Sequence, residues 1–231
     1  MRNLALMWVL AGVAVALLAA GDGKPSVSTY TDKRDGKVYK IVKIGSQVWF
    51  AENLNYAAKG SKCYGEGGTV TSDEFDEDGI LIQTTLSNAE VQANCKKYGR
   101  LYNWKTALAA CPAGTHLPTD KELTTLVKYV GDSTAGTKLM SSTGWNSLNG
   151  VPTGTNEYGF SALPGGYGYS DGDFDGVGDG GLWWSATKDD DVYAIYWYMY
   201  YGHGYVDLVS LDKTYFYSVR CVLDNEKERR K

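Results

Sequence analysis

YNWKTALAACPAGTHLPTDKELTTLV, residues 102–127, is the stretch from which the fold is read, together with SVRC at 218–221. Asn103 is placed to cap a first helix, with Trp104, Ala107, Leu108 and Cys111 on one face at spacings of three and four. Pro112, Gly114 and Pro118 then break the chain. Thr119 to Glu122 spells a capping box: the threonine hydroxyl accepts from the third amide and the glutamate reaches back. Leu123, Leu126, Val127 and Val130 follow at helical spacing, so the second helix buries one stripe, and Gly131 stops it. SVRC reads as a closing strand.

An aromatic, an alanine and a cysteine on one short helix, then a leucine and a capped helix, resemble the helical half of a C-type-lectin-like domain. That resemblance implies an α+β fold of short antiparallel strands, two or three helices and long ordered loops, stapled by disulfides. In such a fold the helix cysteine pairs with one in the last strand, which maps onto Cys111 and Cys221. A wider resemblance runs from Asp32 to about Asp224, to the Fibrobacter succinogenes major paralogous domain family. It rests on DKRDGKVYKIVKIGSQVWFAENLNY (32–56), YGRLYNWKTALAACPAGTHLPTDKEL (98–123), YGFSALPGGY (158–167), GLWWSAT (181–187) and YSVRC (217–221), in that order. Thr115 departs from the pattern, which usually carries tryptophan before His-Leu-Pro. The resemblance implies a secreted or surface-attached protein with no established activity.

Outward from this centre, Met1 to Asn3 is a short basic start and Leu4 to Ala20 is apolar. Ala19-Ala20-Gly21 offers small residues for cleavage before Asp22, so 1–21 reads as a secretory signal peptide. The alternative is an N-terminal membrane anchor that is kept. No cysteine follows the apolar run, so there is no lipobox. The expected location is secreted, cell-surface or periplasmic, with no membrane insertion after signal cleavage. Cleavage removes one arginine and no acid, which makes the formal charge of −4 more negative still. An acidic chain argues against nucleic acid as a partner, because that needs a basic face.

Gly21 to Thr31 reads as a polar lead-in, and residues 32–224 as one domain. Val38 to Ile44 and Gln47 to Phe50 form strands around a Gly45-Ser46 turn. Glu52 and Asn53 are read as satisfying backbone groups where this sheet ends. Gly60 to Leu86 is an insertion with a dense acidic run at 73–79. Ser87 to Glu90 is a second capping box, opening a helix to about Tyr98 that carries Cys95. The four cysteines allow three pairings. If Cys111 takes Cys221, then Cys63 takes Cys95, and export to an oxidising compartment suits both bonds. Thr137 to Ser161 reads as loop with Trp145 and Phe160 as core anchors. Trp183 to Ser185 reads as a short strand, Val192 to Tyr201 as a longer one, and Lys213 to Val222 as the last. Residues 225–231 form a charged tail.

Chemistry is sparse. The two histidines, His116 and His203, have no partner legible from spacing, and no nucleophile elbow, phosphate loop or dinucleotide fingerprint is present. Formylglycine-generating oxidases share the lectin-like scaffold and use reactive cysteines, but here disulfides account for all four. The chain therefore reads as a non-catalytic binding module, with a structural or adhesion component of the cell surface as the alternative and an enzyme third. The candidate cofactor is calcium. Asp171, Asp173, Asp175 and Asp179 around Gly176 match positions 1, 3, 5 and 9 of an EF-hand-type loop. Position 12 is Leu182 rather than glutamate, and a Gly/Asp turn in water is the preferred reading. The sugar-binding Glu-Pro-Asn and Trp-Asn-Asp motifs are absent. Late aromatics supply the candidate ligand face: Tyr169, Trp184, Tyr196, Tyr198 and Tyr200, offered to a polysaccharide or a cell-surface protein. In the long strand Tyr193, Ile195, Trp197 and Met199 should face the core, and Tyr196, Tyr198 and Tyr200 the other side.

Overall fold

A computed structural model of the chain describes residues 27–147, 149 and 153–225. The expected signal peptide and all but the first residue of the expected tail lie outside them. The chain begins with β1 (Val27–Thr31), β2 (Val38–Ile44) and β3 (Gln47–Phe50), then a hairpin of β4 (Val70–Phe75) and β5 (Leu81–Thr84). Helix α1 (Asn88–Tyr98), β6 (Leu101–Tyr102), α2 (Trp104–Ala107), β7 (Thr115–His116) and α3 (Asp120–Val130) follow. After α4 (Ala135–Leu139) come β8 (Gly165–Gly168), β9 (Phe174–Val177), β10 (Gly180–Lys188) and β11 (Tyr193–Tyr200). The chain closes with β12 (Asp207–Asp212), β13 (Tyr217–Ser218) and β14 (Val222–Leu223). Among the described residues this is an α+β arrangement of a five-stranded sheet, β1-β2-β3-β14-β7, and a larger one along β12-β11-β10-β8-β9-β4-β5, with β13 paired to β10 and β6 paired to β13.

Both capping boxes close as read: Ser87 with Glu90 on α1, and Thr119 with Glu122 on α3. Leu123, Leu126 and Val130 are buried, and Gly131 ends α3 in the left-handed region at φ +117°. Four local readings need correction. Residues 27–31 are a strand rather than lead-in, because Tyr30 buries and the whole segment pairs with β2. Helix α2 stops after one turn, so Leu108 leaves the expected face and stays 45% exposed while Ala110 is buried instead. The loop-rich stretch from 137 begins inside α4. The expected last strand, 213–222, is two short pieces in different sheets: β13 pairs with β10 and β6, whereas β14 pairs with β3 and β7.

That last correction locates the centre of the molecule. Residues 219–221 carry the chain from one sheet to the other. They run beside 50–54, held by Phe50 N to Cys221 O (2.9 Å) and Leu54 N to Val219 O (2.8 Å). Arg220, fully buried, sits in this crossing. Its guanidinium donates to the carbonyls of Phe160 (2.6 Å), Phe50 (3.2 Å) and Ser161 (3.3 Å), and to Asn53 Oδ1 (2.6 Å). The Asn53 amide also accepts from Trp183 Nε1 (2.8 Å) and donates to Tyr98 O (2.9 Å) and Ser218 Oγ (3.3 Å). Burial pulls the guanidinium down to about 9, with Glu52 acting against it, so the group stays charged at neutral pH.

Two apolar clusters flank this crossing. Trp49, Phe160, Trp183, Trp197 and the buried stripe of α3 form one; Phe50, Tyr102, Trp184, Tyr217 and Cys221 form the other. Trp183 and Trp184 are neighbours on β10 and enter different clusters, as alternation along a strand requires. Disulfides join Cys63 to Cys95 and Cys111 to Cys221. In the chain-entropy picture the second, at a sequence separation of 110, contributes about 5 kcal/mol.

Two outcomes follow from these contacts. Asn53→Ala strips Arg220 and Trp183 of their shared acceptor and should cost about 3–5 kcal/mol in urea unfolding, the scale for a buried charge that loses a partner. A loss under about 1 kcal/mol would remove Asn53 from the centre of the fold. The second outcome concerns acid. Burial pushes the Asp32 carboxyl up, but hydrogen bonds from Arg34 outweigh it and hold the group below its ordinary 3.8. Burial likewise opposes, and bonds from His116 and Thr119 outweigh it, in holding Glu122 below 4.5. Carboxyls depressed in the folded state contribute stability that is present above their ordinary values and lost as pH falls through the folded ones. The melting temperature should therefore fall as pH drops below 4.5, and Asp32→Asn should flatten that fall; an unchanged slope would contradict it.

Candidate functional site

The larger sheet carries a groove of about 480 Å³ on one face. Its floor is β10, through Gly180 and Leu182. Because β10 lies between β8 and β11 in the sheet, their side chains form two walls. On one wall stand Tyr167 and Tyr169 with Tyr215; on the other stand Tyr196, Tyr198 and Tyr200, with Val209 and Leu211 of β12 beyond. Tyr217, nearly fully buried, joins the walls from below, with ring centroids 4.8 Å from Tyr196 and 6.4 Å from Tyr167. Gly176 opens the far side. It sits at φ +73°, and a Cβ there would stand 3.1 Å from the Tyr167 ring, so glycine serves both backbone and space.

The tyrosine hydroxyls are organised. The Tyr167 and Tyr169 oxygens lie 3.1 Å apart, and Tyr169 donates to Asp175 Oδ2 at 3.3 Å. Tyr198 faces Asp207 across β11 and β12. Burial, then the hydrogen bond to Asp207, pushes the Tyr198 phenol up to about 12. Burial raises Tyr167, Tyr196 and Tyr217 as well. These phenols are therefore neutral at physiological pH, each able to donate and accept a hydrogen bond. The groove offers aromatic faces with polar edges.

Of the expected ligand face, Tyr169, Tyr196, Tyr198 and Tyr200 line this groove. Trp184 is corrected: it lies on the same face of β10 as Gly180 and Leu182, but it is fully buried, donating Nε1 to Tyr102 O at 2.7 Å and packed 4.5 Å from Tyr217. A surface ligand cannot reach it. Sequence reading missed Tyr167, Tyr215 and Tyr217, although each pair, 167/169 and 215/217, shows the spacing of two that marked 196/198/200.

The calcium set is not assembled. Tyr169 to Asp173 form the turn of the β8–β9 hairpin, and the carboxylates serve that turn and its neighbours. Asp171 accepts from the Asp173 amide (3.2 Å), Asp173 from the Thr69 amide (2.8 Å), and Asp175 from the Gly176 amide (2.6 Å). Asp179 lies beyond β9 and accepts from Asn146 Nδ2 (2.8 Å). Among the described residues no group of three or more His, Cys, Asp or Glu converges as metal ligands. The two histidines lie elsewhere. His116 Nδ1 and Nε2 stand 2.6 Å from Asp224 and 2.9 Å from Glu122, tying β7 to α3 and the chain end, and His203 stacks on Tyr205.

The family model for the Fibrobacter succinogenes major domain matches residues 42–223, and the chain belongs to that family. No curated protein and no solved structure matches it significantly. Wall and floor can be told apart by stability. Tyr198→Ala should change unfolding free energy by less than about 1 kcal/mol, whereas Tyr217→Ala should cost about 3–5 kcal/mol as a buried aromatic truncation. Equal losses would mark Tyr198 as core and close the groove as a site.

Proposed function

We propose that this member of the Fibrobacter succinogenes major domain family is an exported, non-catalytic binding module on a C-type-lectin-like scaffold, and that its tyrosine groove takes a carbohydrate chain. The observation that carries the reading is the groove itself: six tyrosines on two walls, with phenol hydroxyls at their edges. Sugar rings present C–H faces that pack on aromatic rings and hydroxyls that pair with the phenols. Two disulfides fit an oxidising, extracellular setting. They also hold all four cysteines, whereas the enzyme alternative needs a thiol. A cell-surface protein as ligand is the second reading, favoured by Phe75, Ile80 and Leu81, which stand exposed on the β4–β5 hairpin.

The test is a pull-down of the purified mature protein with insoluble plant and bacterial polysaccharides. Retention on at least one is expected, and Tyr198→Ala should weaken it about tenfold, the loss of one stacked aromatic contact of about 1.5 kcal/mol. Retention on none, or retention untouched by Tyr198→Ala, would take the carbohydrate out of the groove.

A further inference from the structure

Resting on the carbohydrate reading, we infer that the groove selects its sugar chain by charge: Asp175 and Asp207 admit uncharged or amine-bearing glycans and turn away uronates and sulfated ones. Neither carboxylate is itself a lining residue; each stands beside the groove, against a lining tyrosine. Asp175, at the start of the Gly176 side, holds the Tyr169 hydroxyl on one wall. Asp207 lies directly across from Tyr198 on the other. Among the described residues lining the groove there is no lysine, arginine or histidine to compensate them. The rings between them present electron-rich faces, which attract cations and repel anions. His203 stands near the outer end, 5.7 Å from the Tyr200 ring, but is itself stacked on Tyr205.

Chemically, a carboxylate attracts a ligand hydroxyl or ammonium and has no donor to offer a second carboxylate. A uronate entering the groove beside these two like charges meets repulsion, which salt can screen. An uncharged hexose feels none, and a glucosamine gains. This is selection by an unfavourable contact with the wrong ligand rather than by an added favourable one.

The experiment measures retention of the mature protein on neutral β-glucan, polygalacturonate and chitosan at low and high salt. The wild type should hold β-glucan and chitosan and pass polygalacturonate at low salt, with the discrimination shrinking as salt screens it. In the Asp175→Asn/Asp207→Asn double variant the ratio of polygalacturonate to β-glucan retention should rise about two- to fivefold, the scale of an exposed charge pair. The isosteric amides keep an acceptor oxygen, and an unchanged melting temperature verifies the fold. Because the whole chain is acidic, Glu77→Gln/Asp78→Asn on the β4–β5 hairpin supplies the same charge change outside the groove and should leave the ratio where it was. Polygalacturonate held as well as β-glucan by the wild type would overturn charge selection while the carbohydrate reading stands. A ratio that shifts equally in the hairpin variant would overturn it in favour of net charge. Retention of none of the three polymers would remove both.

Discussion

A buried cation without a buried counter-ion constrains the whole molecule. Arg220 keeps its charge in the interior by spending its donors on three main-chain carbonyls and one side-chain amide. Desolvating a guanidinium costs several kcal/mol unless every donor is met. The carbonyls of Phe50, Phe160 and Ser161 must therefore converge on one point from two distant parts of the chain. Ser161 does so at φ +56°, a conformation that non-glycine residues seldom adopt, and Asn156 holds it there through its side chain. Asn53 completes the set and passes the constraint on to Trp183, Tyr98 and Ser218.

The groove inherits its shape from that constraint. Trp183 is fixed by the Asn53 oxygen, so β10 can rotate little about its own axis. Alternation then sends Trp184 into the second cluster and leaves Gly180 and Leu182 as the floor between two tyrosine walls. Tyr217 reaches the same floor because it lies on β13, just before the sheet crossing at 219–221. The Cys111–Cys221 disulfide anchors the far side of the crossing, so the last strand pieces are held by a covalent bond, a buried cation and two short ladders. Rings set on such a frame lose little freedom on meeting a ligand, which favours binding by pre-organisation.

Much of this was written locally and could be read locally. The capping boxes at Ser87 and Thr119, the stop at Gly131, the β2–β3 hairpin and the stripe of α3 depend on neighbours within one turn or one hairpin. The tyrosines of β11 were legible for the same reason, since a spacing of two puts three residues on one side of a strand whatever else the chain does. The disulfide pairing was not legible from spacing, which leaves three options, and came from the resemblance to the lectin-like order of helices and strands.

What the tertiary structure alone decided was which side of each strand had something covering it, and which polar groups were already taken. Trp184 is aromatic and flanks the right residues, but β6 and β13 cover it. The carboxylates from Asp171 to Asp179 follow a calcium-like spacing, but the folded hairpin and its neighbours occupy them: Asp171, Asp173 and Asp175 accept from backbone amides and Asp179 from Asn146. Arg220 and Asn53 look like ordinary polar residues at strand ends until two sheets close over them. The sequence by itself determined α1, α3, the β2–β3 hairpin, the acidic charge and one tyrosine ladder, because these rest on contacts between near neighbours. Burial, metal geometry and the joining of tyrosine pairs from three separate segments into one groove depend on residues dozens of positions apart, and no local period records such contacts.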